Sequence, residues 1–148
     1  MRAIIQYPNP LLKEVSEPVR DIDSLVKDVA EEMLDCVAKP GIVGISAIQL
    51  GVKLRIIAVC SGVPILIINP AVTKASRQTY VSTEGCLSID HGHSQYLVKR
   101  HKLVKVVGLN LLGDRVSYKG GADTFGAALQ HEIDHLDGKL INDRSMER

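Results

Sequence analysis

His131 and His135 stand four residues apart, and Glu132 directly follows the first of them. Each residue of an α-helix turns the chain by about 100°, so residues at i and i+4 lie on one face within side-chain reach. Two neutral imidazoles placed in this way can bind one metal ion, and the glutamate can accept a proton from a coordinated water. The motif therefore requires a helix over this segment. It favours a metal-dependent hydrolase whose third protein ligand lies elsewhere, although two ordinary surface histidines are the alternative.

Three cysteines are candidates for the third ligand. Cys86 follows Gly85 in a segment of turn character, where a glycine permits backbone conformations that expose the thiol and the amides. Cys36 falls within an amphipathic helix and Cys60 ends an apolar strand, so we interpret both as small core residues. We predict that Cys86 is the ligand, with a nucleophile or a buried core residue as the alternatives. A thiolate would suit Fe(II) as well as Zn(II).

The spacing of apolar residues predicts two helices and four strands. The helices run from Asp21 to Lys39 and from about Thr124 to Leu136, with Asp123 or Thr124 as N-cap and Gly138 as C-cap of the second. The strands run from Leu54 to Cys60, Ile65 to Asn69, Leu103 to Leu112 and Arg115 to Tyr118, the last two joined by a hairpin at Gly113-Asp114. A helix, several strands and a second helix predict an α+β fold, and the length of 148 residues favours a single catalytic domain over 1–148.

Composition excludes several classes of protein. Trp is absent and aromatics make up only 3%, so the core must be aliphatic. The net charge is +1 and no block of Lys and Arg stands out, so a nucleic-acid-binding protein that depends on phosphate contacts is not expected, and the chain carries no direct nucleic-acid motif. No apolar run is long enough to span a membrane, and the N-terminus does not resemble a signal peptide. Three cysteines exclude a complete disulfide framework, so we expect a reducing cytoplasmic location.

The segment from Gly41 to Gln49 combines two glycines with small residues. It lacks the preceding strand and the G-x-G-x-x-G spacing of a dinucleotide fingerprint, so a nucleotide site is not expected. Gln49 is an uncharged polar residue in an apolar run. It is either a structural amide or an N–H donor to an oxyanion.

Three segments together resemble the peptide deformylase family. They are Gly44-Ile45-Ser46-Ala47-Ile48-Gln49, Glu84-Gly85-Cys86-Leu87-Ser88 and Gln130-His131-Glu132-Ile133-Asp134-His135. The start of the chain, with Tyr7-Pro8-Asn9-Pro10-Leu11-Leu12 and then Pro18-Val19, is also similar, so the resemblance extends from about residue 3 to residue 142. It implies antiparallel sheets packed around a central helix that carries the HExxH motif, with one further amphipathic helix nearer the N-terminus.

The resemblance also implies a role for each residue of the site. The metal ligands would be Cys86, His131 and His135, with water as the fourth. Glu132 would be the general base and then the general acid. The formyl oxygen would be polarised by Gln49 and the backbone N–H of Leu87. The substrate would be bound by Gly44, Ile45 and Gly85, and Ile45 with residues near Ala127 would help to line the methionine pocket.

The implied reaction is hydrolysis of the N-formyl group from the initiator methionine of newly made polypeptides, with release of formate. Fe(II) would be the native metal, and Zn(II) or Ni(II) could substitute. The implied partners are formylmethionyl nascent chains and the ribosome near its exit tunnel. The alternatives are a metal-dependent amidase or peptidase of shifted specificity, and a non-catalytic relative.

The chain departs from the family pattern at two positions of the glycine-rich segment. Ile42 stands where the family usually has Gly, and Ser46 stands where Ala is commoner. Both lie in the segment expected to face the substrate, so we expect a difference in substrate shape before one in chemistry.

Three further segments carry expectations. Arg100 follows Lys99 where the family often has Pro, and we interpret Arg100 as a solvated surface residue rather than a partner of Asp134. The chain ends at Arg148, soon after Gly138, so the further C-terminal helix of many relatives is expected to be absent. In Asp90-His91-Gly92-His93, the two histidines are expected to be exposed rather than to bind a second metal.

Overall fold

A computed structural model describes residues 2–146 of the chain. The strands of this range are β1 Gly44–Ser46, β2 Ile56–Cys60, β3 Pro64–Ala75, β4 Thr79–Glu84, β5 Tyr96–His101, β6 Val104–Leu109 and β7 Arg115–Gly120. Its α-helices are α1 Ser24–Val37, α2 Thr124–Leu136 and α3 Ile141–Arg144. Short 3-10 helices occupy Pro10–Lys13, Ala47–Leu50 and Asp90–Gly92.

The strands form two antiparallel sheets. Five of them pair in the order β1-β2-β3-β6-β7, and β4 pairs with β5 alone. Strand β2 is apolar along its length because both of its faces are covered. Ile57 packs in the same cluster as Leu129 of α2, whereas the adjacent Ile56 packs in the same cluster as Met33 of α1. The two long helices therefore lie on opposite faces of the five-stranded sheet.

The β4–β5 pair packs against α2 on another side. The Gln130 side chain of α2 accepts a hydrogen bond from the His101 N–H at 2.9 Å and donates one to the His101 carbonyl at 3.0 Å. Helix α2 is thus held between the large sheet and the small one. The predicted α+β fold, with antiparallel sheets around the HExxH helix and an amphipathic helix nearer the N-terminus, is confirmed.

Helix α2 begins and ends where the sequence signals lie. The Asp123 side chain caps it by accepting a hydrogen bond from the Gly126 N–H at 2.8 Å. Asp137 is the C-cap, and Gly138 follows with φ +73°, so the predicted C-cap glycine lies one residue beyond the cap. Gly126 contacts the backbone at Gly121 so closely that a Cβ there would overlap the Gly121 carbonyl. This contact sets how near the helix lies to the end of β7.

The predicted boundaries differ from the observed ones for identifiable reasons. Helix α1 is shorter than predicted at both ends. It begins at Ser24 because the Asp23 side chain caps it by accepting a hydrogen bond from the Val26 N–H at 3.0 Å, and it ends at Val37 with Ala38 as the C-cap.

The strand predicted to end at Asn69 continues to the end of β3. Asn69 has φ +51° and lies at a register shift between β3 and β6, and its side chain forms hydrogen bonds with the Val19 backbone. These features form a β-bulge, and an asparagine at a bulge has the same sequence signal as one at the end of a strand. Strands β1, β4 and β5 were not predicted.

Beyond Gly138 the chain forms the four-residue helix α3, with Ile141 buried. The expectation that no further helix follows is therefore wrong for this short element. Among the described residues, no helix is long and apolar enough to cross a membrane.

Candidate metal centre and active site

Cys86, His131 and His135 converge in the interior of the protein. One ligand atom from each lies within 4.8 Å of the others, and all three residues are buried. The Cys86 Sγ is 3.3 Å from the His135 Nε2. The two histidine rings lie on one face of α2 with centroids 5.1 Å apart, as the i, i+4 spacing predicts. The three predicted ligands are brought together from α2 and the turn after β4.

His131 is oriented by a carboxylate. Its Nδ1 lies 2.9 Å from the Glu84 Oε1, so the proton of the neutral ring sits on Nδ1 and Nε2 remains available as a ligand atom. Arg100 holds the same carboxylate through both oxygens, at 2.9 and 2.7 Å. Burial favours the neutral carboxyl, but the hydrogen bonds from Arg100 and His131 prevail and lower the pKa of Glu84 to about 2.

Arg100 is one of the most deeply buried charged residues among those described. Its side chain is 2% exposed, and its Nη1 donates to Asp134 at 2.7 Å while its other nitrogens bind Glu84. The interpretation of Arg100 as a solvated surface residue is wrong. Asp134 in turn pairs with Arg144 of α3 at 2.7 Å, so the short C-terminal helix is connected to the metal centre through ion pairs.

Glu132 lies beside the predicted ligands, and one of its carboxylate oxygens accepts no hydrogen bond from the described residues. Its Oε1 is buried and has no hydrogen-bond partner among residues 2–146. Gly44 of β1 packs against the same side chain, because a Cβ at position 44 would come within 2.6 Å of the Glu132 Oε2. The absence of a side chain at Gly44 therefore leaves room for Glu132. A buried carboxylate oxygen without a hydrogen-bond partner destabilises the fold unless a ligand or substrate donates a hydrogen bond to it.

The electrostatics of the site favour a cation. Burial disfavours a charged His131, but Glu132, Cys86 and Glu84 surround it and raise its pKa to about 10. Burial raises the pKa of Glu132 to about 7. Burial and the neighbouring His131 lower the pKa of His135, which keeps this ring neutral. The negative groups that stabilise a proton on His131 would equally stabilise a divalent metal ion at the same place.

Gln49 directs its amide N–H groups into the site. Its Oε1 accepts hydrogen bonds from the Ser46 N–H at 2.9 Å and the Ser46 hydroxyl at 3.0 Å, which fixes the carbonyl end. Its Nε2 then faces the Ser88 Oγ at 3.0 Å and the Cys86 Sγ at 3.7 Å. The hydroxyl of Ser46, one of the departures from the family pattern, therefore orients the predicted oxyanion donor.

The turn that carries Cys86 is tied to the N-terminal segment. Gln6 donates to the Leu87 carbonyl at 2.7 Å, and the Tyr7 N–H donates to the Ser88 carbonyl at 2.7 Å. Within residues 2–146 the Leu87 N–H has no acceptor. A backbone donor is therefore left free beside the thiol, as an oxyanion site requires.

A cleft of about 500 Å³ opens onto the centre, and its lining includes Gly44, Gly85 and Ala127. Ile42 also lines the cleft and is half-buried, so this departure places an aliphatic side chain in the wall. Ile45 does not line it, so the expectation that its side chain helps to line the methionine pocket is wrong. Its side chain is fully buried in the core cluster that contains α1, so only its backbone can face a substrate.

The remaining candidates lie outside the site. Cys36 is buried in the core as predicted, and Cys60 is half-buried at the end of β2. His91 and His93 are exposed, as expected. Among the described residues, only Cys86 and the two α2 histidines form a group with metal-ligand spacing.

Sequence reasoning assigned no role to several polar residues of the site. Glu84 stands two residues before Cys86, and Ser88 stands two residues after it. This proximity in sequence to a predicted ligand could have indicated that both side chains lie in the site. Arg100 offered no local signal, because its partners Glu84 and Asp134 come from other elements of the fold.

Comparisons with known sequences give a family match over the whole chain. The sequence profile of the family described as polypeptide deformylase matches residues 1–148. A peptide deformylase from Desulforudis audaxviator is 38% identical over 144 residues, which cover 96% of this chain and 92% of that protein.

Solved structures are similar over the whole fold. The crystal structure of peptide deformylase from Thermotoga maritima superposes with a TM-score of 0.91 at 30% identity and covers 99% of both chains. A Met-Ala-Ser-bound peptide deformylase from Acinetobacter baumannii superposes with a TM-score of 0.88 at 25% identity, covering 97% of this chain and 98% of that one.

Proposed function

The chain belongs to the polypeptide deformylase family, and we propose that Cys86, His131 and His135 hold the metal ion of its reaction. The reaction is hydrolysis of the N-formyl group from the N-terminal methionine of newly made polypeptides, which releases formate. The observation that carries the proposal is the convergence of a thiol and two imidazoles beside a buried carboxylate with a free oxygen.

The residues present fit a divalent metal. One sulfur and two nitrogen donors form a set that Zn(II) and Fe(II) accept, and an open fourth position is typical of a catalytic site. When bound, the metal supplies Lewis acidity, which makes water a nucleophile at neutral pH. The thiolate is compatible with both Fe(II) and Zn(II). Membership of the family favours Fe(II) as the native ion, with Zn(II) or Ni(II) as substitutes.

Glu132 is proposed to move the proton. With its pKa raised to about 7, the carboxyl group can take a proton from the attacking water and return it to the leaving amine at neutral pH. Its free Oε1 is the atom available for this exchange. Gly44 keeps the place beside it open.

Gln49 and the Leu87 N–H are proposed to stabilise the oxyanion that forms on the formyl oxygen. The Gln49 amide is held by Ser46, and the Leu87 N–H is unpaired among the described residues. Losing one such donor typically lowers the rate about 10²- to 10³-fold. Gly44, on the edge strand β1, and Gly85 are proposed to offer backbone to an extended peptide in the cleft.

The substrate is proposed to be a formylmethionyl nascent chain. The Met-Ala-Ser peptide bound to the Acinetobacter baumannii relative is what deformylation of formyl-Met-Ala-Ser would leave. We further propose a cytoplasmic location and association with the ribosome, where such chains emerge. The family match does not favour an amidase of shifted specificity or a non-catalytic relative.

The decisive experiment pairs metal analysis of anaerobically purified protein with a formate-release assay on formyl-Met-Ala-Ser. We expect about one metal ion per chain and rapid release of formate. Glu132→Gln should retain the metal and lose at least about 10³-fold in kcat, because it removes the proton-transfer group but not a ligand. Cleavage of unformylated peptides without formate release would contradict the proposal.

A further inference from the structure

Three lysines lie side by side across the five-stranded sheet. In the strand register, Lys74 of β3 is directly opposite Lys105 of β6, and Lys105 is directly opposite Lys119 of β7. Opposed residues of neighbouring strands point to the same face, and adjacent strands lie about 4.8 Å apart, so the row spans roughly 10 Å. We call Lys74, Lys105 and Lys119 the lysine row.

The lysine row lies on the sheet face away from the catalytic helix. Val104 and Val106, which flank Lys105 along β6, are buried in the cluster that contains α2. Because side chains alternate along a strand, Lys105 points to the opposite face. Lys74 and Lys119 are exposed and Lys105 is partly buried, so the ammonium groups are accessible from solvent.

No carboxylate in the described part of the chain forms an ion pair with the lysine row. The ion pairs formed within residues 2–146 all use other cations. Like charges directly opposite one another destabilise a sheet, so the arrangement costs stability and gains no internal contact in return. The three ammonium groups therefore remain available to contact an anion from solvent.

The positive charge extends beyond the lysine row. Arg77 and Lys102 are exposed and lie in the turns that follow β3 and β5. A hydrogen bond from the Ser76 N–H to the Leu103 carbonyl at 2.9 Å joins these two turns beside the lysine row.

Apart from the buried Arg100–Glu84 pair, the segment 70–122 holds seven Lys and Arg residues against two acids. The sequence shows no block of Lys and Arg because these cations are spread along the segment, and strand pairing brings three of them together. The expectation that the chain lacks a phosphate-binding surface rests on the sequence alone and does not take this pairing into account.

We propose that the lysine row binds the phosphate backbone of base-paired RNA. A rigid row of cations suits phosphates, which supply most non-specific affinity. Single-stranded RNA is disfavoured because such sites use aromatic stacking, and Tyr118 of β7 lies on the other face with its ring packed against Phe125. The choice of RNA over DNA rests on the proposed function, because a protein that acts on new polypeptides works beside structured RNA.

The test measures binding of the metal-loaded protein to a labelled RNA duplex of about 16 base pairs as a function of salt. The variant Lys74→Gln/Lys105→Gln/Lys119→Gln should weaken binding roughly tenfold or more near 50 mM salt. It should lower the slope of log K against log salt by about 2 to 3. The matched control Lys27→Gln/Lys39→Gln/Lys139→Gln removes the same charge from exposed lysines elsewhere and should change affinity less than about threefold.

Formate release by the same proteins separates this inference from the catalytic one. Both triple variants should retain wild-type kcat and KM, because none of the six lysines lines the cleft. Equal weakening by the two variants, tighter binding to a DNA duplex, or binding only to phosphatidylserine vesicles would overturn the RNA proposal. Loss of formate release in the wild-type protein would instead overturn the proposed function.

Discussion

At the scale of single residues, the site depends on buried polar contacts that hold each reactive group in one orientation. Glu84 orients His131, and Ser46 orients Gln49. Neither supporting residue is a ligand or a base. Each fixes which atom of its partner faces the cleft, because a hydrogen bond at one end of a planar group determines where the other end points.

Ser46→Ala is expected to lower kcat up to about tenfold and leave KM unchanged, because the Gln49 carbonyl loses one of its two hydrogen bonds. The retained Ser46 N–H bond limits the loss. Steady-state kinetics with formyl-Met-Ala-Ser would measure it. Ser16→Ala is the matched control, since the buried Ser16 hydroxyl has no hydrogen-bond partner among residues 2–146 and should be dispensable. Equal kinetics for all three proteins would show that the hydroxyl does not position Gln49.

Glu84→Gln is expected to destabilise the metal-free protein in a pH-dependent way. The folded pKa of Glu84 is lowered to about 2, so its charge stabilises the fold above its ordinary pKa and loses that effect as the pH falls toward 2. The difference in unfolding free energy between wild type and variant should shrink by about 2 kcal/mol from pH 6 to pH 3. Urea denaturation at several pH values would test this, and a pH-independent difference would contradict it.

At the scale of elements, helix α2 was predictable because its signals are local. The 3.6-residue periodicity, the Asp123 cap and the trailing glycine all lie within the segment itself. The sequence did not predict β1 because it has only three residues, or β4 and β5 because polar residues interrupt their apolar ones. Their extended form comes from pairing with distant strands, which a short window of sequence does not encode.

Gly126→Ala is expected to destabilise the protein by about 1 to 3 kcal/mol, because the new methyl group overlaps the Gly121 carbonyl and forces α2 away from β7. Since α2 carries both histidine ligands, metal affinity should fall as well. Thermal denaturation and metal titration would measure the two effects. Ala128→Gly, at a buried position of the same helix, is a control that weakens the helix without that overlap. It should leave metal affinity near that of the wild type.

Lys105→Glu is expected to raise the unfolding free energy by about 0.5 kcal/mol at low salt, because two like-charge contacts become attractive ones. The gain should decrease as salt is added. The same variant should bind duplex RNA more weakly, so stability and binding would change in opposite directions. Destabilisation at low salt would indicate that the three side chains do not interact as the register suggests.

At the scale of the whole molecule, the metal centre connects parts that are far apart in sequence. The ligands come from α2 and from the turn after β4, and that turn is tied to the N-terminal segment through Gln6 and Tyr7. The ion pairs of Asp134 add the C-terminal helix to the same assembly. A metal at the centre should therefore stabilise the fold as a unit.

Removal of the metal by a chelator is expected to lower the Tm by roughly 10 °C. Free metal at about 1,000 times its Kd adds about 4 kcal/mol of stability, and a domain of this size shifts by about 2 to 4 °C per kcal/mol. Differential scanning calorimetry with and without added metal would measure the change. Cys86→Ser is the control, because loss of the thiolate ligand should reduce the shift strongly. A metal-independent Tm for the wild type would argue against binding at this site.

The sequence by itself determined which groups are proposed to do the chemistry. Local spacing predicted the metal ligands and Glu132, because helical periodicity is set by interactions between near neighbours, and the resemblance to family motifs implied the role of Gln49. Only the tertiary structure decided the rest: the burial of Arg100, the contact of Glu84 with His131 and the alignment of three lysines. These depend on strand pairing and helix packing between distant segments, so their energies arise only when the whole chain is folded.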